Sequence, residues 1–180
     1  MNEAGPQLER VGPAAQLPDA SPAPDAPGWE VRLATREDLP GIATAVRELL
    51  AELGGRPAAP AALLDGARAV LEDDSAGTLL VARTDEGRIV GLLGASWPLA
   101  VRVAGRYGLI EELWVDPSLR RGAIGSELLA ALCALARERG VQRIEVGLPS
   151  ERFANLAATE AFYRERGFTP IGTRMRRALK

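Results

Sequence analysis

The spacing of apolar residues along the chain constrains the fold most, because it changes repeatedly between strand-like and helix-like periods. Strand-like runs cover residues 30–34, 78–83, 89–96, 107–115, 142–148 and 168–175. Apolar residues recur at helical spacing over residues 39–53, 61–72, 124–136 and 156–166. The order β-α-α-β-β-β-α-β-α-β predicts a mixed α/β sandwich built around one sheet.

Glycine and proline mark the boundaries of these elements. Gly54-Gly55, Gly140 and Gly167 are expected to end helices. Residues 84–88 are typical of a hairpin turn, and residues 97–106 are expected to form a loop. Residues 1–28 contain six prolines without apolar periodicity, which predicts a disordered leader. We therefore expect a single folded domain over residues 29–180.

Composition excludes several classes of function. The 180-residue chain has a net charge of −2, so no global charge recruits nucleic acid or an anionic membrane. It contains no histidine and one cysteine, which leaves no Ser-His-Asp or Cys-His machinery and no cysteine-histidine metal cluster. No apolar run approaches the ~20 residues of a membrane helix, and no secretion signal is visible. The sequence predicts a cytoplasmic protein that binds no metal, nucleic acid or membrane.

The stretch from Leu113 to Leu129 carries the chemistry. It predicts a strand, a tight turn, a glycine-containing loop with Arg120 and Arg121, and the start of an amphipathic helix. The first turn of a helix presents unpaired N–H groups and the positive end of the helix dipole. Gly122 and Gly125 are expected to let the backbone approach an anion, and the arginines add charged donors. This combination predicts a phosphate or pyrophosphate cradle.

Two common phosphate-binding motifs are excluded. A P-loop requires Gly-Lys-Ser/Thr after the glycines, and the chain has none there. A dinucleotide fingerprint requires three spaced glycines after an early strand of a parallel βαβ unit, which is also missing.

The motif Arg-x-x-Ala-x-Gly after a Leu-x-Val-x-Pro strand resembles the acetyl-CoA motif of the GNAT N-acetyltransferases. Downstream, Phe162-Tyr163-Arg-Glu-Arg-Gly167-Phe168 is similar to the Phe-Tyr-x-x-x-Gly-Phe segment of that family. The resemblance covers roughly residues 29–176. It implies an acyl-CoA N-acyltransferase fold, with a central, mostly antiparallel sheet, a splayed strand pair, and helices on both faces.

The resemblance implies a set of residues around acetyl-CoA. Those implied to bind it are Leu113, Trp114, Val115, Arg120, Arg121, Gly122, Ala123, Ile124, Gly125 and Ser126. Ala123 replaces the first glycine of the motif, which would cost about 1 kcal/mol if that position needs a positive φ. Gly122 is then expected to supply the flexibility. The family's frequent asparagine falls on Leu156, and the neighbouring Asn155 is equally interpretable as a helix cap.

The family reaction needs a base for the acceptor amine, a donor to the thioester carbonyl, and an acid for the sulfur. Without histidine, the candidate bases are Glu112, then Glu145, then Glu111. Strand alternation places Glu111 and Glu112 on opposite faces, so that at most one of them faces the cleft. The resemblance implies the Val115 N–H as the carbonyl donor, and Tyr163 as the acid.

The acceptor is expected to be a primary amine on a small molecule. The alternatives are a protein or peptide acetyltransferase and a non-catalytic acyl-CoA sensor. The first helices and the loop 97–106 are the expected walls of the acceptor site. Since dimers are common in the family, a homodimer is a further expectation.

Overall fold

The computed structural model describes residues 28–56, 58–172 and 177, so the predicted leader lies almost wholly outside the described residues. It contains seven strands and four α-helices within that range. The strands are β1 (Trp29–Leu33), β2 (Gly77–Thr84), β3 (Ile89–Ser96), β4 (Leu99–Ala100), β5 (Gly105–Arg106), β6 (Gly108–Val115) and β7 (Ile144–Val146). The helices are α1 (Leu39–Glu52), α2 (Pro60–Glu72), α3 (Ile124–Glu138) and α4 (Leu156–Arg164).

Five strands form one sheet in the order β1-β2-β3-β6-β7. All neighbours are antiparallel except β6 and β7, which run parallel. Their pairing joins Gly108–Ile110 to Ile144–Val146 and then stops, although β6 continues to Val115. The second half of β6 therefore has an open edge, and the predicted mostly antiparallel sheet with a splayed pair is confirmed.

Helices cover both faces of this sheet because alternate strand residues are apolar on each side. One core packs Leu79, Val81 and Leu92 against residues of α1 and α2. The other core packs Leu80, Ala82 and Leu93 against α3, and α4 joins that side through Tyr163. α1 and α2 thus lie on one face of the sheet, and α3 and α4 on the other.

Most predicted elements are present, with differences at the ends. Gly140 and Gly167 adopt left-handed φ angles of +68° and +83°, as expected where a helix ends. The strand predicted over 142–148 is shorter, at Ile144–Val146, and the helix predicted to reach residue 166 ends at Arg164.

Two predictions about loops and strands were wrong. The expected loop 97–106 contains a small hairpin, since β4 pairs with β5 around a turn at Ala104, whose φ is +53°. The strand predicted over 168–175 is not formed in its described part, residues 168–172. Pro170 has no N–H to donate there, and Gly172 adopts a φ of +128°. Residues 173–175 lie outside the described residues.

Candidate active site

A β-bulge shapes the middle of β6. Gly94 of β3 pairs with Glu112, but the next residue, Ala95, pairs with Ile110. Glu111 is therefore the extra residue, and alternation is broken around it. Ile110 and Leu113 consequently pack into the same core although they are three residues apart. The predicted simple alternation of Glu111 and Glu112 was wrong for this reason.

Glu112 lies on the α1–α2 face of the sheet, in the space left by a glycine. A Cβ built on Gly94 would lie 2.3 Å from Glu112 Oε2 and 3.4 Å from Leu79 Cδ2. The carboxyl is thus held over the backbone of β3 and beside an apolar side chain. Burial raises the pKa of Glu112 from 4.5 to about 7, with a smaller contribution from the negative charge of Glu111.

The other two candidate bases are engaged by neighbours. Glu111 is exposed, and its Oε1 accepts a hydrogen bond of 2.7 Å from Ser96 Oγ. Both oxygens of Glu145 accept bonds from the Arg102 guanidinium, at 2.6 and 2.8 Å. That guanidinium also stacks over the ring of Tyr107, 4.7 Å from its centroid. Glu145 therefore anchors the β4–β5 hairpin to β7.

The open edge of β6 presents backbone groups beyond the point where β7 diverges. The Asp116 N–H donates to Val90 O across the β3 side of the strand. Since N–H groups alternate sides along a strand, those of Leu113 and Val115 face the open edge, and that of Trp114 faces β3. The Trp114 indole is buried in the α1–α2 core. Leu113 and Val115, but not Trp114, are thus placed to donate to a ligand along this edge.

In the loop between β6 and α3, the residue with a positive φ is not the one that the sequence suggests. Ala123 is in the right-handed helical region, with φ −78° and ψ −20°, so it carries no left-handed strain. Arg121 has the positive φ instead, at +69°, and Gly122 does not. The condition for a penalty at Ala123 is therefore not met, and the expected role of Gly122 was wrong.

Gly125 and Ile124 serve packing. A Cβ on Gly125 would lie 3.3 Å from Phe162 Cε2, so this glycine lets α4 approach the first turn of α3. Ile124 is fully buried in the core below α3. Ala123, at the N-cap position, forms no side-chain cap, which leaves the first N–H groups of α3 without an internal acceptor there. Close packing against Phe162 therefore accounts for the glycine at position 125.

The charged residues of the cradle have different surroundings. Arg120 donates to Val115 O at 2.9 Å and pairs with Glu52 at the end of α1. Arg121 is exposed and has no hydrogen bond or ion pair with any residue the structure describes. Ser126 Oγ accepts two bonds from Arg166, at 2.6 and 3.2 Å. Arg121 is thus the cradle arginine that remains free within the described structure, and Arg166 adds a cation that sequence reasoning missed.

Tyr163 lies on the opposite face from Glu112. It is 6% exposed and contacts the rings of Phe162 and Phe168 edge-on, each with centroids 5.2 Å away. Burial raises the pKa of its hydroxyl. The phenol therefore remains protonated at neutral pH. Asn155 is at the N-cap position of α4 but forms no side-chain cap bond.

The positive φ of Arg121 gives a test that separates backbone strain from charge. Arg121→Gly should raise the thermal midpoint relative to Arg121→Ala, because glycine relieves about 1 kcal/mol of left-handed strain. Both variants should weaken acetyl-CoA binding by the same two- to fivefold or so, as expected for an exposed cation. Differential scanning fluorimetry and binding titrations measure the two effects. Equal midpoints for the two variants would contradict the strain at this residue.

The sequence of the chain matches a known protein family over most of its length. Residues 43–168, more than half of the chain, match the acetyltransferase (GNAT) family. The chain belongs to this family. It is an acetyl-CoA-dependent N-acetyltransferase.

Individual GNAT proteins resemble the chain over most of its length. An aminoalkylphosphonate N-acetyltransferase of Salmonella typhimurium is 31% identical over 154 residues, which is 85% of this chain and 93% of the relative. An aminoglycoside antibiotic 6′-N-acetyltransferase of Acinetobacter baumannii shares the fold with a TM-score of 0.69 at 16% identity, covering 85% of this chain and 99% of the other. A predicted acetyltransferase of Clostridium acetobutylicum with acetyl-CoA has a TM-score of 0.66 at 18% identity, covering 83% and 96%.

The described residues fit the GNAT cofactor by their own chemistry. The open edge of β6, the uncapped start of α3 and the free Arg121 offer donors to amide and phosphate oxygens. Within residues 28–56, 58–172 and 177, no group of three metal-binding side chains is present. In the same ranges no helix is long and apolar enough to cross a bilayer.

Proposed function

We propose that this GNAT enzyme acetylates the primary amine of a small molecule, with Glu112 as general base and Tyr163 as general acid. The observation that carries the proposal is the partly buried Glu112 carboxyl, packed over Gly94 on the strand whose edge is open. A carboxyl with a pKa of about 7 is half ionised at neutral pH, where it accepts a proton most effectively. The two other glutamates are bound to Ser96 and Arg102, which favours Glu112.

The two proton transfers take place on opposite faces of the sheet. Acetyl-CoA supplies the acetyl group as a thioester, whose C–S bond is exchanged for a C–N bond. Glu112, on the α1–α2 face, takes the proton that the attacking amine loses. Tyr163, on the α3–α4 face, gives its proton to the departing sulfur. The Val115 N–H at the open edge donates to the carbonyl oxygen, as a pre-positioned backbone dipole.

The choice of a small acceptor rests on similarity of the whole chain. The Salmonella relative, aligned over 93% of its length, acts on aminoalkylphosphonates according to its name. We therefore place short amines that carry an acidic group first among acceptors, ahead of aminoglycosides and peptide N-termini.

Acetyl-CoA binding provides the first test. Ligand at ~100 times its dissociation constant should stabilise the fold by about 2.7 kcal/mol. For a domain of this size that raises the thermal midpoint by about 5–10 °C. Scanning fluorimetry with acetyl-CoA, dephospho-CoA and ATP measures it, and the rise should be largest for acetyl-CoA. No rise with millimolar acetyl-CoA would contradict the proposed cofactor site.

The acceptor class is tested by release of free CoA with a panel of amines. Aminoalkylphosphonates, aminoglycosides and a short peptide with a free N-terminus represent the competing classes. Turnover with small amines and not with the peptide supports the proposal. Turnover with the peptide alone would make the enzyme a peptide acetyltransferase, and binding without any turnover would make it a sensor.

A further inference from the structure

The carboxyl of Glu112 occupies the place where a side chain at position 94 would be. The 2.3 Å between Glu112 Oε2 and a Cβ built on Gly94 is far below any real contact distance. Leu79 Cδ2 lies 3.4 Å from the same point, on the next strand. These two residues and the bulge at Glu111 form a slot, the Gly94 slot, that holds the carboxyl against the sheet.

The slot exists because of where the strands place these residues. Gly94 and Glu112 are directly paired between β3 and β6, so their side chains are on the same face. Leu79 pairs with Gly94 from the other side, on β2. A backbone bonded on both sides is difficult to move. Any side chain at position 94 must therefore displace the Glu112 carboxyl.

We infer that Gly94 is a positioning residue for the base: its missing side chain keeps the Glu112 carboxyl desolvated and aimed along the α1–α2 face. The inference rests on the proposed function of Glu112. The residues that form the slot, Gly94 and Leu79, do not titrate. Among the described residues, Glu111 of the same strand is the neighbouring charge that acts on Glu112.

The atom in conflict lies at the far end of a flexible side chain, so the protein has an easy way to adapt. In Gly94→Ala the Glu112 side chain is expected to rotate into solvent while β3 remains in place. Gly91, on the same strand, is different. A Cβ there would meet Ile124 at 2.5 Å, Leu128 at 3.0 Å and Ala82 at 3.1 Å, all in the buried core. Gly94→Ala should fold, whereas Gly91→Ala should be destabilised.

The pH dependence of the reaction tests the inference. In the wild type, kcat/KM should rise with pH through a midpoint near 7. In Gly94→Ala the midpoint should fall below about 6, because a solvated glutamate returns toward its ordinary pKa of 4.5. Turnover at pH 7 should drop at least tenfold, and the acetyl-CoA dissociation constant should stay within twofold. An unchanged pH midpoint in a folded Gly94→Ala variant would overturn the inference.

A direct titration separates this inference from the proposed function. Carbon-13 NMR of labelled glutamate, with Glu112→Gln to assign the signal, reports the titration of Glu112 without any turnover. If the wild-type enzyme acetylates no amine, the proposed function fails, and yet a lower midpoint in Gly94→Ala would still support the slot. If turnover depends on Glu112 but the NMR midpoint is unmoved by Gly94→Ala, the slot fails alone.

A double substitution checks that glycine is not needed by the strand itself. In the Glu112→Ala background the conflicting carboxyl is gone, so adding Gly94→Ala should change the thermal midpoint by less than about 2 °C. Gly66→Ala is a matched control, because nothing lies within 4 Å of a Cβ at that residue of α2. A large loss of stability in the double variant would show that Gly94 serves the sheet and would overturn the inference.

Discussion

Glu112→Gln is expected to lower turnover at pH 7.5 by about 100-fold or more, since general-base catalysis contributes about 10²–10⁴. Glutamine has the same shape but cannot accept the amine proton. Initial rates of CoA release over pH 5.5–9 measure the effect, and the rise through pH 7 should disappear. If Glu111→Gln abolishes turnover while Glu112→Gln does not, the base is Glu111.

The same substitution should change stability in the opposite direction. The native pKa of Glu112 is raised, so the native state holds this proton more tightly than the unfolded chain does. The free energy of unfolding of the wild type therefore falls as pH rises from about 4.5 to about 7. A gap from 4.5 to about 7 corresponds to on the order of 3 kcal/mol. The stability of Glu112→Gln relative to wild type should grow by up to that amount between pH 4.5 and pH 8.

Denaturant titrations at several pH values measure this gain. They are informative as a difference between pH values, because the partly buried glutamine amide has a desolvation cost that does not change with pH. A variant that is less active and also more stable at pH 8 would show that the site holds its base at the expense of stability. A pH-independent stability difference would contradict the raised pKa.

Tyr163→Phe is the second substitution with a large expected effect. Removing the hydroxyl should lower turnover about 10- to 100-fold, because the sulfur then leaves without a proton from the enzyme. The acetyl-CoA dissociation constant should change little, because the ring keeps its edge contacts with Phe162 and Phe168. Rapid-mixing or steady-state kinetics with a binding titration separate the two quantities.

The chain supplies its own control for this experiment. Tyr107, the other of its two tyrosines, stacks against Arg102 and lines the same cleft as Tyr163. Tyr107→Phe should leave turnover within about threefold. Equal losses in both variants would indicate a general sensitivity to tyrosine hydroxyls and would contradict a specific role for Tyr163.

The fold was predictable from sequence because long apolar patterns decide it. Long stripes of apolar residues are buried by α1, α3, β2 and β3. The spacing of apolar residues in the sequence is therefore enough to identify these elements. The β4–β5 hairpin has two residues per strand, which is too short to show a period. The bulge at Glu111 could not be predicted from the sequence either, because it depends on the register between β3 and β6.

The residue types of the candidate site follow from the sequence, whereas their contacts do not. Glycines and arginines before a helix predict the cradle, and the absence of histidine makes Glu112 a candidate base; both stay predictions. The ion pair of Arg120 with Glu52 could not be predicted, because the two residues are 68 positions apart in the sequence. The same limit applies to Gly125, whose neighbour Phe162 comes from another helix. Long-range contacts of this kind decide which donors remain free for a ligand.

Trp29 connects the first strand to the helix at the centre of the site, since its Nε1 donates to Glu127 Oε2 at 3.1 Å in the first turn of α3. The other two tryptophans, Trp97 and Trp114, are 2% and 5% exposed and lie in the cores. The intrinsic fluorescence of this enzyme therefore comes from one partly exposed tryptophan, Trp29, next to the start of α3, and from two buried tryptophans. The wild-type protein carries an optical reporter of events at α3, without any attached dye.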